Sequence, residues 1–131
     1  MAIQRLTSKD FGVLTNPGVT STQIVWHKNS PAAQVTITRV TVEPGATQDR
    51  HAHDGAEQIW LVEQGNGELL TADGGSEALS EGDVVRTPSG EIHGLKNTGS
   101  NDLIYVSVTT PPQDYSNAYG KTENQCSGSN T

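Results

Sequence analysis

The sequence predicts an all-β fold in a single domain, a barrel or a sandwich, and three observations carry the prediction. Short runs rich in β-branched residues recur along the chain, VTITRVTV at 35–42 and LIYVSVT at 103–109 being the clearest. Turn-forming groups stand between the runs: Asn16-Pro17-Gly18, Glu43-Pro44-Gly45, Asp54-Gly55, Gly65-Asn66-Gly67 and Asp73-Gly74-Gly75. Finally, 14 Gly and 6 Pro with only 32% hydrophobic residues suit many strands and turns better than a helical bundle. A chain of 131 residues can bury one core but is short for two.

Taken in order, residues 1–22 show weak periodicity and no helix signature. Gln23 to His27 is a short strand candidate, followed by a loop at Lys28-Asn29-Ser30-Pro31. The run Val35 to Val42 reads as a strand, but its apolar parity shifts between Ile37 and Val40, so either a bulge or burial on both faces is expected. Glu57 to Val62 reads as a strand returning from the Asp54-Gly55-Ala56 turn. Glu68 to Ala72, Glu77 to Leu79 and Val84 to Thr87 follow as shorter strands. Leu103 to Thr109 is the last strong strand, ended by Pro111 and Pro112, which cannot donate to a ladder. The tail from Gly120, GKTENQCSGSNT, has no aliphatic residue and is expected to be disordered. Tyr115 and Tyr119 are candidates to pin the preceding segment onto the barrel or onto a partner subunit.

Charge and composition exclude several roles. Eight Lys plus Arg against 15 Asp plus Glu give a net charge of −7, with no basic run to neutralise phosphates, so nucleic acid is not an expected partner. No apolar stretch approaches the roughly 20 residues needed to span a bilayer, so no membrane partner is expected either. The N-terminus lacks the apolar core of a signal peptide, and the single Cys126 cannot form an internal disulfide. A cytoplasmic location is therefore expected.

The chemistry concentrates in two stretches. In GATQDRHAHDGAEQIWLVEQG, Gly45 to Gly65, His51 and His53 sit two residues apart, the spacing that puts two strand side chains on one face. In GDVVRTPSGEIHGLKN, Gly82 to Asn97, His93 follows a Pro-x-Gly turn. Three imidazoles brought together suit a transition metal such as Zn, Fe, Ni or Mn. The fourth histidine, His27, lies outside both stretches and reads as an ordinary surface side chain. Strand alternation puts Gln58, Trp60 and Val62 on one face and Glu57, Ile59 and Leu61 on the other, so only one of Glu57 and Gln58 can face the histidines.

These two stretches resemble the signature motifs of the cupin superfamily. The first motif runs Gly, five residues, His-x-His, three or four residues, Glu, six residues, Gly; Gly45, His51, His53 and Gly65 fit it. Gly82, Pro88, Gly90, His93 and Asn97 match the second motif at every position. Sixteen residues, Asn66 to Glu81, separate the motifs, as in small bacterial cupins. The resemblance covers roughly residues 35 to 110. It implies a single-domain cupin barrel (a double-stranded β-helix or jelly roll). Residues 1–34 would form an N-terminal arm and first strands, 35–112 the barrel core, and 113–131 a C-terminal segment with a disordered tail.

The resemblance also implies one divalent transition metal ion per subunit (Fe, Mn, Ni or Zn) held by His51, His53, His93 and a fourth ligand. The family usually supplies Glu at that place. Counting back from Gly65, which closes the hairpin and fixes the strand register, gives Gln58; a three-residue gap after His53 would select Glu57 instead. Gln58 is the expected ligand. Three imidazoles and an amide leave the full charge on the ion, which favours Lewis-acid lyase or isomerase chemistry, while broad family usage favours a dioxygenase. Trp60, Arg86 and Tyr105 are candidate contacts for a small, oxygen-rich or anionic substrate, with a surface ion pair the commoner role for an arginine so placed. Glu91 is a candidate base, against the more ordinary reading of a turn carboxylate. A homodimer is implied by the same resemblance. The competing expectation is a non-catalytic sensor, structural or binding module, since this fold hosts many activities.

Overall fold

In the computed structural model, which describes residues 2–123, eleven strands form two antiparallel sheets. They are β1 (Gly12–Asn16), β2 (Val19–Val25), β3 (Thr36–Val42), β4 (Thr47–His51), β5 (Glu57–Gln64) and β6 (Asn66–Thr71). The series continues with β7 (Ser76–Ser80), β8 (Val84–Thr87), β9 (His93–Lys96), β10 (Leu103–Thr110) and β11 (Lys121–Glu123). One sheet has seven strands in the order β11-β1-β2-β3-β10-β5-β8, the other four in the order β4-β9-β6-β7. Among the described residues there is no α-helix, only two single-turn 3-10 segments at Ser8–Asp10 and Ser116–Ala118. No helix among the described residues is long and apolar enough to cross a membrane.

The register of β3, β10 and β5 organises the interior. Tyr105 pairs with Val40 on one side and Val62 on the other, Ser107 with Thr38 and Trp60, and Thr109 with Thr36 and Gln58. All of these side chains are buried, so each rung faces inward. The rungs change character along the barrel. At one end Val40, Val42, Val62, Leu95 and Leu103 form an apolar plug with Leu14 and Leu79. At the other, Thr36, Thr38, Gln58, Ser107 and Thr109 make a polar interior. This explains the parity shift expected in β3. The strand alternates regularly, with Thr36, Thr38, Val40 and Val42 all inward, and Ile37 turned to the outer face.

The N-terminal region holds more structure than its sequence suggests. Gly12–Asn16 and Val19–Val25 form a hairpin around the Asn16-Pro17-Gly18 turn, and the sheet continues from it into β3 without a break. Strand β2 therefore starts earlier than Gln23 and ends before Trp26 and His27. Strand β5 is not the hairpin partner of β4; the two lie in different sheets, and β4 pairs with β9, a strand the sequence does not announce. The C-terminal tail also departs from expectation, because Lys121–Glu123 pair with β1. Its remainder, 124–131, lies outside the described residues.

Two motif residues have structural work. Gly65 adopts φ +93, and a Cβ there would stand 2.7 Å from the Asp102 carbonyl oxygen and 3.0 Å from Leu103 Cα, so the turn closes tightly against the start of β10. Asn97 is fully buried; its amide donates to the carbonyls of Val42 (2.8 Å) and Asn101 (2.9 Å) and accepts from the Gly99 N–H (2.9 Å). It thereby ties the β9–β10 loop to β3.

Candidate metal centre

His51 is the last residue of β4 and His93 the first of β9, and the two are cross-strand partners beyond a register shift that begins after Gln48. The close approach of these strands depends on Gly94, where a Cβ would lie 2.8 Å from the Gln48 carbonyl oxygen. His53 does not extend the strand, contrary to the simple His-x-His expectation; it lies in the turn after β4 and still swings back to its partners. Ring centroids are 4.9 Å apart for His51 and His53, 4.4 Å for His51 and His93, and 5.2 Å for His53 and His93. One ligand nitrogen from each ring lies within 4.8 Å of the others, a cluster that can hold a metal ion.

The backbone sets the tautomers of two of these rings. His51 Nδ1 lies 2.7 Å from the Asp49 carbonyl and His93 Nδ1 lies 3.1 Å from the Glu91 carbonyl. A carbonyl can only accept, so each Nδ1 carries the proton, and each neutral ring presents its Nε2 lone pair. Burial lowers the pKa of His93 to about 4, opposed by the bond to Glu91 and assisted by the neighbouring His51 and His53. Burial also lowers that of His53, with His51 adding to the effect and the nearby Gln113 side chain opposing it. Neutral imidazoles at neutral pH are the form that ligates metals. His53 Nε2 is buried with no hydrogen-bond partner among the described residues.

Gln58, only 6% exposed, is the hub of the polar interior. Its Oε1 accepts from the Trp60 indole N–H at 2.8 Å, while its Nε2 donates to Tyr115 OH at 2.8 Å and Thr109 Oγ1 at 3.1 Å. Because an indole N–H only donates, Trp60 fixes which end of the amide is oxygen. That oxygen lies 3.1 Å from His93 Nε2. With Nδ1 of His93 protonated, this contact sets two lone-pair donors against each other, an arrangement that calls for a cation between them. The donor set thus fits a divalent ion.

Glu57 takes the other face of β5 and forms an ion pair with Arg86, which stands opposite Ile59 on β8. The structure therefore does not bring Arg86 to the site; its register position opposite Ile59 turns it outward. Trp60 and Tyr105 do line a cavity of ≈ 770 Å³ onto which His51, His53 and Gln58 open. Their rings pack at 4.4 Å, and the Tyr105 hydroxyl donates to Gln48 Oε1 at 2.6 Å. Burial raises the Tyr105 pKa well above 10, so its phenol stays protonated. Glu91 is exposed and contributes its carbonyl, not its carboxylate. His27 is a surface side chain 3.7 Å from Asp114.

Sequence reasoning misses Gln48, Ser107, Thr109 and the role of Tyr115. A signal existed for Thr109 and Ser107, since they share inward parity with Tyr105 on β10. Tyr115 and Tyr119 pin the C-terminal segment to the barrel: Tyr115 through Gln58 and Thr109, Tyr119 through burial and a 3.4 Å contact with Gln48.

Comparison with known proteins places these features in context. A family model described as Cupin domain matches residues 38–109. The chain is 34% identical over 70 residues to the oxalate-binding protein of Thermotoga maritima, covering 53% of this chain and 57% of that protein. It is 32% identical over 98 residues to germin-like protein subfamily 2 member 1 of Arabidopsis thaliana, covering 72% of this chain and 43% of that protein. The chain therefore spans about half the length of the curated relatives it matches. Among solved structures it is similar to a predicted oxalate decarboxylase from Thermotoga maritima, with a TM-score of 0.64 and 26% identity over 71% of this chain and 80% of that one.

Proposed function

The chain belongs to the cupin family, and from that premise we propose that it is a mononuclear metal-dependent protein acting on a small, oxygen-rich anion such as a carboxylate. His51, His53 and His93 hold the ion through nitrogen, and Gln58 adds its amide oxygen. When bound, a divalent ion supplies Lewis acidity toward carboxylate or carbonyl oxygens. The chain's own residues do the rest. The carbonyls of Asp49 and Glu91 hold two imidazoles in the ligating tautomer. Trp60 presents the Gln58 oxygen, and Trp60 and Tyr105 wall the cavity beside it.

The observation that carries this reading is the pair of facing lone-pair donors, His93 Nε2 and Gln58 Oε1, 3.1 Å apart beside the unpartnered His53 Nε2. The neutral donor set favours non-redox chemistry, in line with the predicted decarboxylase among similar structures. A second reading, carboxylate binding without turnover, is favoured by the name of the oxalate-binding relative. The proposal includes a homodimer in the cytoplasm, as the family resemblance and the sequence imply.

The test is calorimetric titration of metal-loaded protein with oxalate and longer hydroxy acids, followed by product analysis with and without O₂. Binding with turnover that survives anaerobiosis supports lyase or isomerase chemistry; turnover lost with O₂ points to a dioxygenase. Binding without turnover selects the second reading, and no binding of any carboxylate refutes both.

A further inference from the structure

The hydrogen-bond inventory around Gln58 leaves one proton without an assigned place. Both N–H groups of its amide are used, on Thr109 Oγ1 and Tyr115 OH, and the Trp60 indole forbids the flipped amide. Each hydroxyl oxygen therefore accepts from Gln58. The two hydroxyls also touch each other at 2.5 Å, and only one proton fits between them. If Tyr115 donates to Thr109, the Thr109 proton is left on a side chain that is 0% exposed, with no other acceptor among the described residues. An unsatisfied buried donor is costly. If Thr109 donates to Tyr115, every buried group is satisfied and the phenol proton is left over.

Tyr115 can place that proton where Thr109 cannot. It is half-buried and lines the cavity, with its ring 5.6 Å from the ring of His53. Its hydroxyl is separated from the Gln58 oxygen only by the width of the amide. We propose that Tyr115 is a ligand-binding residue whose O–H, left unused by Thr109, donates a hydrogen bond to an anion held at the histidine cluster. This rests on the metal reading above and adds a recognition element from outside both sequence motifs. It assigns the C-terminal segment a part in ligand binding.

The test uses full-length protein loaded with Co(II), with azide and oxalate as probes followed in the visible spectrum. Tyr115→Phe is expected to keep its Co(II) and to bind both anions roughly 10- to 100-fold more weakly, the effect of removing one hydrogen bond to a charged group. Thr109→Val leaves the phenol proton free and is expected to stay within about threefold of wild type. Equal affinity of wild type and Tyr115→Phe, with metal retained in both, overturns this inference and leaves the metal reading standing. A gain of about tenfold or more in Thr109→Val also overturns it, because Thr109 would then have been holding the Tyr115 proton. A wild type that keeps no Co(II) overturns the metal reading and this inference together, and one that keeps Co(II) but takes neither anion overturns the anion-binding function and this inference while the metal site stands. Should Tyr115→Phe lose its metal, a crystal structure of oxalate-bound wild type decides: the phenol oxygen within hydrogen-bond distance of the anion supports the assignment, and a greater separation overturns it.

Discussion

Replacing Gln58 by Leu removes the hub of the polar interior while keeping side-chain volume similar. The Trp60 indole N–H, on a side chain 2% exposed, loses its acceptor, which costs about 1–3 kcal/mol. Two further hydrogen bonds, to Thr109 and Tyr115, are lost at about 0.5–1.5 kcal/mol each. These two hydroxyls keep each other as partners, so neither is stranded. Against this, burying leucine in place of an amide returns about 1.5–3 kcal/mol. The net expectation is a loss of about 2 kcal/mol in the metal-free protein, or roughly 6–10 °C in Tm at this chain length. Urea unfolding of metal-free protein is the assay, with the midpoint shifted and the m-value unchanged. A midpoint equal to wild type would refute the argument that Gln58 organises this interior. Gln58→Glu is the control: it keeps an acceptor for Trp60 and lets Thr109 and Tyr115 donate to the carboxylate, so metal affinity should rise, not fall.

Other outcomes follow from the same structure. The metal-free protein should lose stability as pH falls from about 6.5 to about 4: there the unfolded chain binds a proton that native His93 refuses, so stability rises with pH across that window and is flat below it. The full shift corresponds to about 3 kcal/mol, reduced to about 1–2 by the solvent reaching the site; a Tm constant from pH 7 to 4 would contradict it. Gly65→Ala should cost about 1–3 kcal/mol, because it adds a Cβ 2.7 Å from the Asp102 carbonyl oxygen at φ +93. Urea denaturation of that variant is the check, and a neutral substitution would mean the turn relaxes freely.

The two motif stretches were legible because their chemistry is local. The Pro88–Gly90 turn and the His51, His53 pair are read off spacing alone, and the alternation of β5 separates Gln58 from Glu57 once Gly65 fixes its register. What was not legible depends on partners distant in the chain. The hairpin β1–β2 hides because its inward positions include Ser21 and Gln23, fully buried polar residues that erase the apolar pattern on which strand recognition relies. Strand β9 hides because His93-Gly94-Leu95-Lys96 is too short for any period to show. Arg86 is open to either an anionic ligand or a surface ion pair on sequence alone, and its register opposite Ile59, which puts it beside Glu57, is a long-range feature of the sheet. Tyr115 reaches Gln58 across 57 positions of chain, a contact that strand periodicity cannot express.

The central claim is that His51, His53 and His93 hold a metal ion together with the Gln58 oxygen. Metal analysis of protein purified without a chelating tag, run beside Gln58→Ala and Glu57→Ala, tests it most directly. The account predicts about one equivalent of a divalent transition metal per chain, retained in Glu57→Ala and weakened or lost in Gln58→Ala. A wild type that binds no metal after reconstitution with Fe, Mn, Ni or Zn would contradict the account, and loss in Glu57→Ala alone would overturn the choice of ligand.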